Sequence, residues 1–354
     1  MMKAARLHAI GDFRVDEVSI PQPQGKQLLM RIGACGICGS DIPRVFELGT
    51  SKQKYPLVLG HEFGGEIVKV GNQADLALVG KHGAIFPCIP CRFCPPCLSG
   101  NYAMCLDYDY LGSRSDGGFA EYCLIPSSWH FVESHNVQTT DEALSMVEPC
   151  TVAQHAVRRG DLRAGYSVLI FGAGPIGIMA ARWAHIFGAG TIALVDVVED
   201  KISFAKQHGQ ICLHGGKEDV NAAFRALNQG RPADIVIEGT GTQAALNQAI
   251  DCVRTFGTIV MLGNPHKDTT IQLGCHSSIL RKELNLVGVW NSHYFDLPIN
   301  EWVYTVKMID EKKMMVEDLV THRCGIDELP QLFDDIYEKK VSICKALYSA
   351  EVGR

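Results

Sequence analysis

Hydrophobic and polar positions divide this chain into two textures. Up to about residue 150 the apolar runs are short and broken by glycine and proline. Gly65-Glu66-Ile67-Val68-Lys69-Val70-Gly71 alternates polar and apolar residues, the period of a half-buried strand. Phe119-Ala120-Glu121-Tyr122-Cys123-Leu124-Ile125 predicts another. The pattern implies an all-β, loop-rich domain over residues 1–153. From about Gly165 the texture changes. Ser167-Val168-Leu169-Ile170-Phe171 is a continuous apolar run that ends in glycine, and a helical stretch follows from Ile176 to Phe187. Thr191–Asp196, Asp234–Glu238 and Thr258–Leu262 repeat the buried-strand pattern, with helical segments between. Strands alternating with helices predict parallel βαβ units, hence a doubly wound sheet over residues 154–290. After about Val289 the pattern loosens, and residues 291–354 are expected to return to the first domain.

Bulk properties narrow the function without naming it. The 354 residues suffice for two sizeable cores. With 47% hydrophobic and 20% charged residues, the chain has the make-up of a soluble globular enzyme. A net charge of −6 gives no broad basic surface, so nucleic acid is not expected as a partner. No run of 18 apolar residues predicts a membrane span. No signal-like segment opens the sequence, so a reducing, cytoplasmic setting is expected.

That setting decides how the fourteen cysteines are read. Five fall between Cys88 and Cys105, and four of these form Cys91-x-x-Cys94-x-x-Cys97-x7-Cys105. Four thiolates can surround a structural zinc ion tetrahedrally, two-residue gaps bringing three sulfurs together and the longer gap delivering the fourth. Cys88 shares the spacing and is a competing ligand, but it would lengthen the lobe without need. Pro90, Pro95, Pro96 and Gly100 are expected to keep residues 88–105 out of helix and sheet.

Gly172-Ala173-Gly174-Pro175-Ile176-Gly177 fits G-x-G-x-x-G between a predicted strand and a predicted helix, the context that gives this motif meaning. Gly172 would permit the turn, Gly174 the approach of a pyrophosphate and Gly177 close helix packing. Pro175 and Ile176 open a helix whose N-terminus faces the phosphates. Asp196 ends the next strand, where an acid accepts from ribose hydroxyls and repels a 2′-phosphate. NAD is therefore expected over NADP, with Lys201 the nearest cation.

A second constellation lies upstream. Cys38 sits in a glycine-rich turn, Gly60-His61-Glu62 follows an apolar run, and Glu148-Pro149 precedes the cofactor domain. Cys38, His61 and Glu148 offer the mixed S, N and O donors of an open catalytic zinc site. His61-Glu62 is not H-E-x-x-H, because position 65 is Gly65. Spacing alone does not bring these residues together.

Taken together, Cys35-Gly36-Ile37-Cys38-Gly39-Ser40-Asp41, Gly60-His61-Glu62, the cysteine lobe, Glu148-Pro149 and Gly172–Gly177 resemble the zinc-dependent medium-chain alcohol and polyol dehydrogenases along nearly the whole chain. The resemblance implies an α/β plus β fold, a GroES-like N-terminal catalytic domain with a Rossmann cofactor domain. It implies two zinc ions per chain and a homodimer or homotetramer. Cys38 and His61 would bind the catalytic zinc, with Glu148 the resident carboxylate and Glu62 a ligand or its neighbour. The zinc would act as a Lewis acid on a secondary alcohol. Ser40, two residues past Cys38, would begin a proton relay, unless it is a turn or helix cap, while Asp41 would be a structural acceptor. A sugar-alcohol phosphate would need a cationic anchor, for which Arg44 and Arg114 are candidates and Arg281-Lys282 a weaker one. Trp290 and Asn291 would line the pocket. An unphosphorylated polyol, a non-catalytic nucleotide-binding protein and a zinc-free reductase relative are the alternatives.

Overall fold

The computed structural model describes residues 1–51 and 53–352, and the chain separates into two compact units. One unit comprises Met1–Pro149 with His293–Arg354; the other is Cys150–Ser292.

The first unit is built from antiparallel strands. Asp12–Val18, Met2–Ala9 and Leu57–Val58 form a three-stranded sheet. A larger sheet runs Phe131–Glu133, His82–Ile85, Glu62–Val70, Leu28–Gly36, Lys345–Ser349, Val320–Cys324, with Tyr122–Ile125 also paired to Leu28–Gly36. The tail thus enters the N-terminal sheet, Leu347 opposite Gly36 and Tyr348 opposite Cys35. Leu7, Leu28, Ile32, Phe63, Phe119 and Phe333 pack between these layers and are fully buried.

Three local expectations shift. The alternating strand placed at residues 65–71 begins at Glu62 and ends at Val70, because its pairing with Leu28–Gly36 extends past the alternating stretch to the Gly36–Glu62 pair. The Phe119–Ile125 strand is regular only over Tyr122–Ile125; Phe119 instead accepts from the Ala5 N–H at 2.8 Å. The lobe is not free of regular structure. Cys88–Ile89 pairs with Asp109–Tyr110, and Pro95–Leu98 is a single helical turn. Proline at the first helical position breaks no intrahelical hydrogen bond, so Pro95 starts this turn rather than preventing it.

The second unit carries a six-stranded parallel sheet in the order Cys212–His214, Ile192–Asp196, Val168–Phe171, Ala233–Glu238, Val253–Met261, Asn285–Gly288. In sequence order this is 3-2-1-4-5-6, the doubly wound Rossmann arrangement. All four residues of Val168–Phe171 are buried, as a central parallel strand requires. Order reverses beside this strand, the switch point at which doubly wound sheets bind ligands, and its C-terminal end leads into Gly172.

Candidate functional site

The lobe presents four sulfurs at one point. The Sγ atoms of Cys91, Cys94, Cys97 and Cys105 all lie within 4.8 Å of one another. Cys91 to Cys97 and Cys94 to Cys105 are both 3.9 Å. Zn–S bonds of about 2.3 Å in a tetrahedron imply S–S edges of about 3.8 Å, so the quartet has the spacing of a zinc cage and not of disulfides. Backbone N–H groups of Cys91 and Cys94 donate to Cys105 Sγ at 3.2 Å and Cys91 Sγ at 3.4 Å. The backbone N–H of Leu106, foremost, lowers the Cys94 thiol to about 6, favouring the thiolate that binds metal. Cys88 stands outside the quartet: its Sγ faces the Tyr102 carbonyl at 3.7 Å, and burial pushes its thiol up to about 12. Tyr102 packs edge-on against Trp129 at 5.1 Å, and Arg92 lies over the same ring at 4.2 Å, fixing the lobe to its unit.

The second cluster is assembled from distant segments. Cys38 follows strand Leu28–Gly36, His61 immediately precedes strand Glu62–Val70, and Glu62 is that strand's first residue. The pairing of these strands brings one donor atom from each of Cys38, His61 and Glu62 within 4.8 Å of one another. Thiolate, imidazole and carboxylate together suit zinc. Asp41, fully buried, accepts from the Cys38 N–H through Oδ2 at 3.0 Å. Its other oxygen, Oδ1, stands 3.6 Å from His61 Nδ1, and neither atom has a hydrogen-bond partner among the described residues. Burial opposes a charge on His61, but Asp41 and Cys38 outweigh it and hold the imidazole well above its ordinary pKa. Such a pair fits a cation, because a metal on His61 would turn Nδ1 into a donor aimed at Asp41.

Glu148 is not in that set of three. It lies in the first turn of helix Val147–Arg159 and accepts from Tyr110 Oη at 3.2 Å. Burial, reinforced by Glu62 and opposed by His61, raises its carboxyl to about 7. Glu62 instead forms a buried ion pair with Lys345 Nζ. Burial works against the Lys345 charge, yet Glu62 and Cys38 outweigh it and hold the ammonium above its ordinary pKa.

The remaining residues are less concentrated. Ser40 is exposed and caps helical turn Asp41–Pro43 in position only, its hydroxyl making no capping bond. Arg44 Nη1 donates to Ser51 Oγ at 3.5 Å, while its buried Nε has no partner among the described residues. Arg114 is engaged locally, donating to the Tyr108 carbonyl at 2.9 Å with its guanidinium 4.0 Å from that ring's centre. In the second unit, Trp290 is 57% exposed, and Asn291 takes φ +59° and accepts from Ser292 Oγ at 3.0 Å. Lys282 donates to the carbonyls of Ile250, Asp251 and Val253 near a helix end, a structural use. Arg281 bonds Ser277 Oγ at 3.1 Å.

The glycine fingerprint has the shape of a phosphate cradle. Gly172 adopts φ +108°, which a side chain would resist. A Cβ on Gly177 would fall 1.9 Å from the Gly172 carbonyl oxygen, whereas a Cβ on Gly174 would meet nothing within 4 Å and would fill the open cradle. Pro175 and Ile176 open helix Pro175–Ile186. Asp196 Oδ2 accepts from the Ala173 N–H at 2.8 Å, and Oδ1 from Val197 and Val198 at 2.8 and 3.0 Å. The acid thus ties the second strand to the glycine loop. Lys201 is exposed on helix Glu199–Gln207.

Sequence reasoning passed over Lys345 and Tyr110 and gave Asp41 only a scaffold role. Lys345 did leave a signal, a lone charge at the head of the apolar run Lys345-Ala346-Leu347-Tyr348. Tyr110 left none.

Comparison with known proteins follows this geometry. The alcohol dehydrogenase GroES-like domain model matches residues 24–135, and the zinc-binding dehydrogenase model matches residues 175–311. Galactitol 1-phosphate 5-dehydrogenase of Escherichia coli K12 is 32% identical over 337 residues, 95% of this chain and 96% of its own. A crystal structure of galactitol-1-phosphate dehydrogenase from Escherichia coli superposes with a TM-score of 0.90 at 31% identity, covering 98% of this chain and 100% of the other. Sorbitol dehydrogenase of Macaca fascicularis is 30% identical over 335 residues, 93% of this chain and 90% of its own. A putative zinc-binding dehydrogenase from Sinorhizobium meliloti 1021, solved bound to NADP, matches with a TM-score of 0.89 at 28% identity and 99% coverage of both chains.

Proposed function

The chain belongs to the zinc-type medium-chain alcohol and polyol dehydrogenases, oxidoreductases acting on CH–OH donors, and from that premise we propose that it oxidises a secondary hydroxyl of a sugar-alcohol phosphate to the ketose with NAD. The observation that carries the chemistry is the convergence of donor atoms from half-buried Cys38 and buried His61 and Glu62, with Asp41 facing His61 Nδ1. Zinc held there supplies Lewis acidity, lowering the pKa of a substrate hydroxyl by several units, and a bound dinucleotide supplies the hydride acceptor.

The chain's own residues do the rest. Cys38 and His61 hold the ion, and Asp41 orients both by accepting from the Cys38 N–H and facing the imidazole. Glu148, buried and accepting from Tyr110 Oη, is the carboxylate this reading assigns as the exchangeable ligand. Ser40, exposed beside Cys38, passes the hydroxyl proton outward. In the other unit the Gly172–Gly177 loop and the helix N-terminus hold the pyrophosphate. Asp196 at its strand end disfavours a 2′-phosphate, which supports NAD. The Cys91 quartet holds a second, structural zinc.

Likeness to galactitol 1-phosphate 5-dehydrogenase supports a phosphorylated substrate, and Arg44, whose Nε is buried and unpaired among the described residues, is the better anchor. Arg114, held on Tyr108, ranks behind it. The likeness to a sorbitol dehydrogenase keeps a free polyol as the second reading. The deciding assay follows nicotinamide reduction with galactitol 1-phosphate, galactitol, sorbitol and xylitol at matched concentration, each with NAD and with NADP. Turnover of the phosphate alone, with NAD preferred, is the expected result. Equal turnover of a free polyol would remove the phosphate anchor, and equal use of NADP would remove the role given to Asp196.

A further inference from the structure

Glu62, one of the three clustered donors, forms with Lys345 a full ion pair inside the core, beside Cys38 and His61. Glu62 is 2% exposed and Lys345 4%. Lys345 Nζ donates to Glu62 Oε2 and to the Ile37 carbonyl, the latter at 3.0 Å. The lysine reaches in from the first residue of strand Lys345–Ser349, whose neighbour Leu28–Gly36 leads directly into Ile37 and Cys38. Gly36 makes the room. A Cβ there would lie 2.3 Å from Glu62 Oε2 and 2.8 Å from Lys345 Cε.

Such a pair is a poor way to stabilise a core. Two charges lose their hydration, and well-packed apolar residues of similar volume often do as well or better. Its place beside Cys38 and His61 gives it a different use. A buried carboxylate next to a divalent cation would close on it unless something else holds the carboxylate.

We propose that Lys345 is a positioning residue that restrains Glu62, holding Oε2 and balancing its charge so that Glu62 stays beside the metal without occupying the position a substrate hydroxyl needs. This rests on the reading that Cys38 and His61 hold the catalytic metal. It assigns the resident-ligand role to Glu148, which accepts from Tyr110 Oη, rather than to Glu62.

The test uses the full-length protein stripped of metal and reloaded with cobalt(II). Metal affinity is read by chelator competition, coordination by the visible absorption bands, and catalysis by kcat and KM. The four-cysteine lobe contributes equally to every variant. Lys345→Met is expected to bind cobalt about tenfold or more tightly, to shift the visible bands, and to raise KM by about tenfold or more with kcat less affected, because Glu62 then competes with the substrate hydroxyl, magnitudes ordinary for groups that orient metal ligands. Lys345→Arg is expected to keep the wild-type spectrum, because it keeps the charge. Lys345→Met/Glu62→Gln is expected to return affinity and spectrum to near wild type. Where Lys345→Met fails to fold, Lys345→Gln, which keeps a donor for the Ile37 carbonyl, is read in the same way. An unchanged spectrum and affinity in the neutral variant overturns the proposal, and so does a change that persists in the Glu62→Gln background. A wild-type chain that takes up cobalt only in the lobe overturns instead the metal reading on which the proposal rests.

Discussion

The lobe and the Cys38 cluster both gather donor atoms within 4.8 Å, yet they are built in opposite ways. The lobe draws all four sulfurs from one short stretch, so local turns almost suffice to assemble it. The Cys38 cluster draws its donors from a post-strand turn and a strand start, with Lys345 of the C-terminal strand paired to Glu62, and exists only when the large sheet is registered. A locally assembled site leans on its ion for order, with Tyr102 and Arg92 on Trp129 tying it to the rest of the unit. A site assembled by the sheet is ordered by the fold, so its ion adds chemistry more than stability. The lobe should therefore govern folding and the cluster turnover.

Breaking the lobe gives the largest effect. Structural zinc contributes roughly 10–16 kcal/mol to small zinc-dependent folds. Cys97→Ser is expected to lose about one zinc per chain and to lower the thermal midpoint by roughly 10 °C or more, at about 2–4 °C per kcal/mol for a unit of this size. Metal analysis and thermal unfolding check this, and a variant that keeps its midpoint would end the contrast.

Cys38→Ser should do the reverse. Losing several kcal/mol of Lewis-acid stabilisation lowers kcat/KM on the order of a thousandfold, while the midpoint moves by no more than about 3 °C. Steady-state kinetics beside the same melt separate the two regions.

Glu148 sharpens the contrast through pH. Its carboxyl titrates near 4.5 when exposed and near 7 in the folded, metal-free chain. Between those values the folded state binds more protons than the unfolded one, so stability falls as pH rises through that window, by up to about 3 kcal/mol, and this loss is complete above it. His61 adds a further decline at higher pH, because a raised imidazole pKa gives stability that is lost as the group deprotonates. Denaturant midpoints of the stripped protein across pH should show the first decline vanish in Glu148→Gln while the second remains. In the stripped protein the lobe works with the opposite sign, because Cys94, lowered to about 6, adds stability as pH rises from there towards the ordinary thiol value.

The smallest effect belongs to Asp41. Asp41→Asn removes the charge facing His61 and should weaken metal binding at the cluster by about 10–100-fold, leaving the lobe's metal in place. Chelator titration resolving two release steps would show it; a loss from both sites together would mean that Asp41 supports the whole unit.

Much of this was legible in advance, in a graded way. The cysteine spacing and the glycine fingerprint were plain, since each needs only a few neighbouring residues to take shape. The strands around Val168 and Ile192 were equally plain, because burial on both faces leaves an unbroken apolar run. The helical turn at Pro95 is not legible in the sequence, because proline reads as a breaker where here it acts as a starter. Tyr110 and Lys345 escaped for another reason: each meets its partner across a large sequence separation.

The two textures, the cysteine quartet and the Gly172–Gly177 loop can be read along the chain, because periodicity and short-range spacing are local properties. That Asp41 faces His61, that Tyr110 reaches Glu148, and that Lys345 takes Glu62 beneath a bare Gly36 emerges with the folded chain alone. Those contacts depend on strand register, and register is fixed by the packing of a whole sheet rather than by any segment of it.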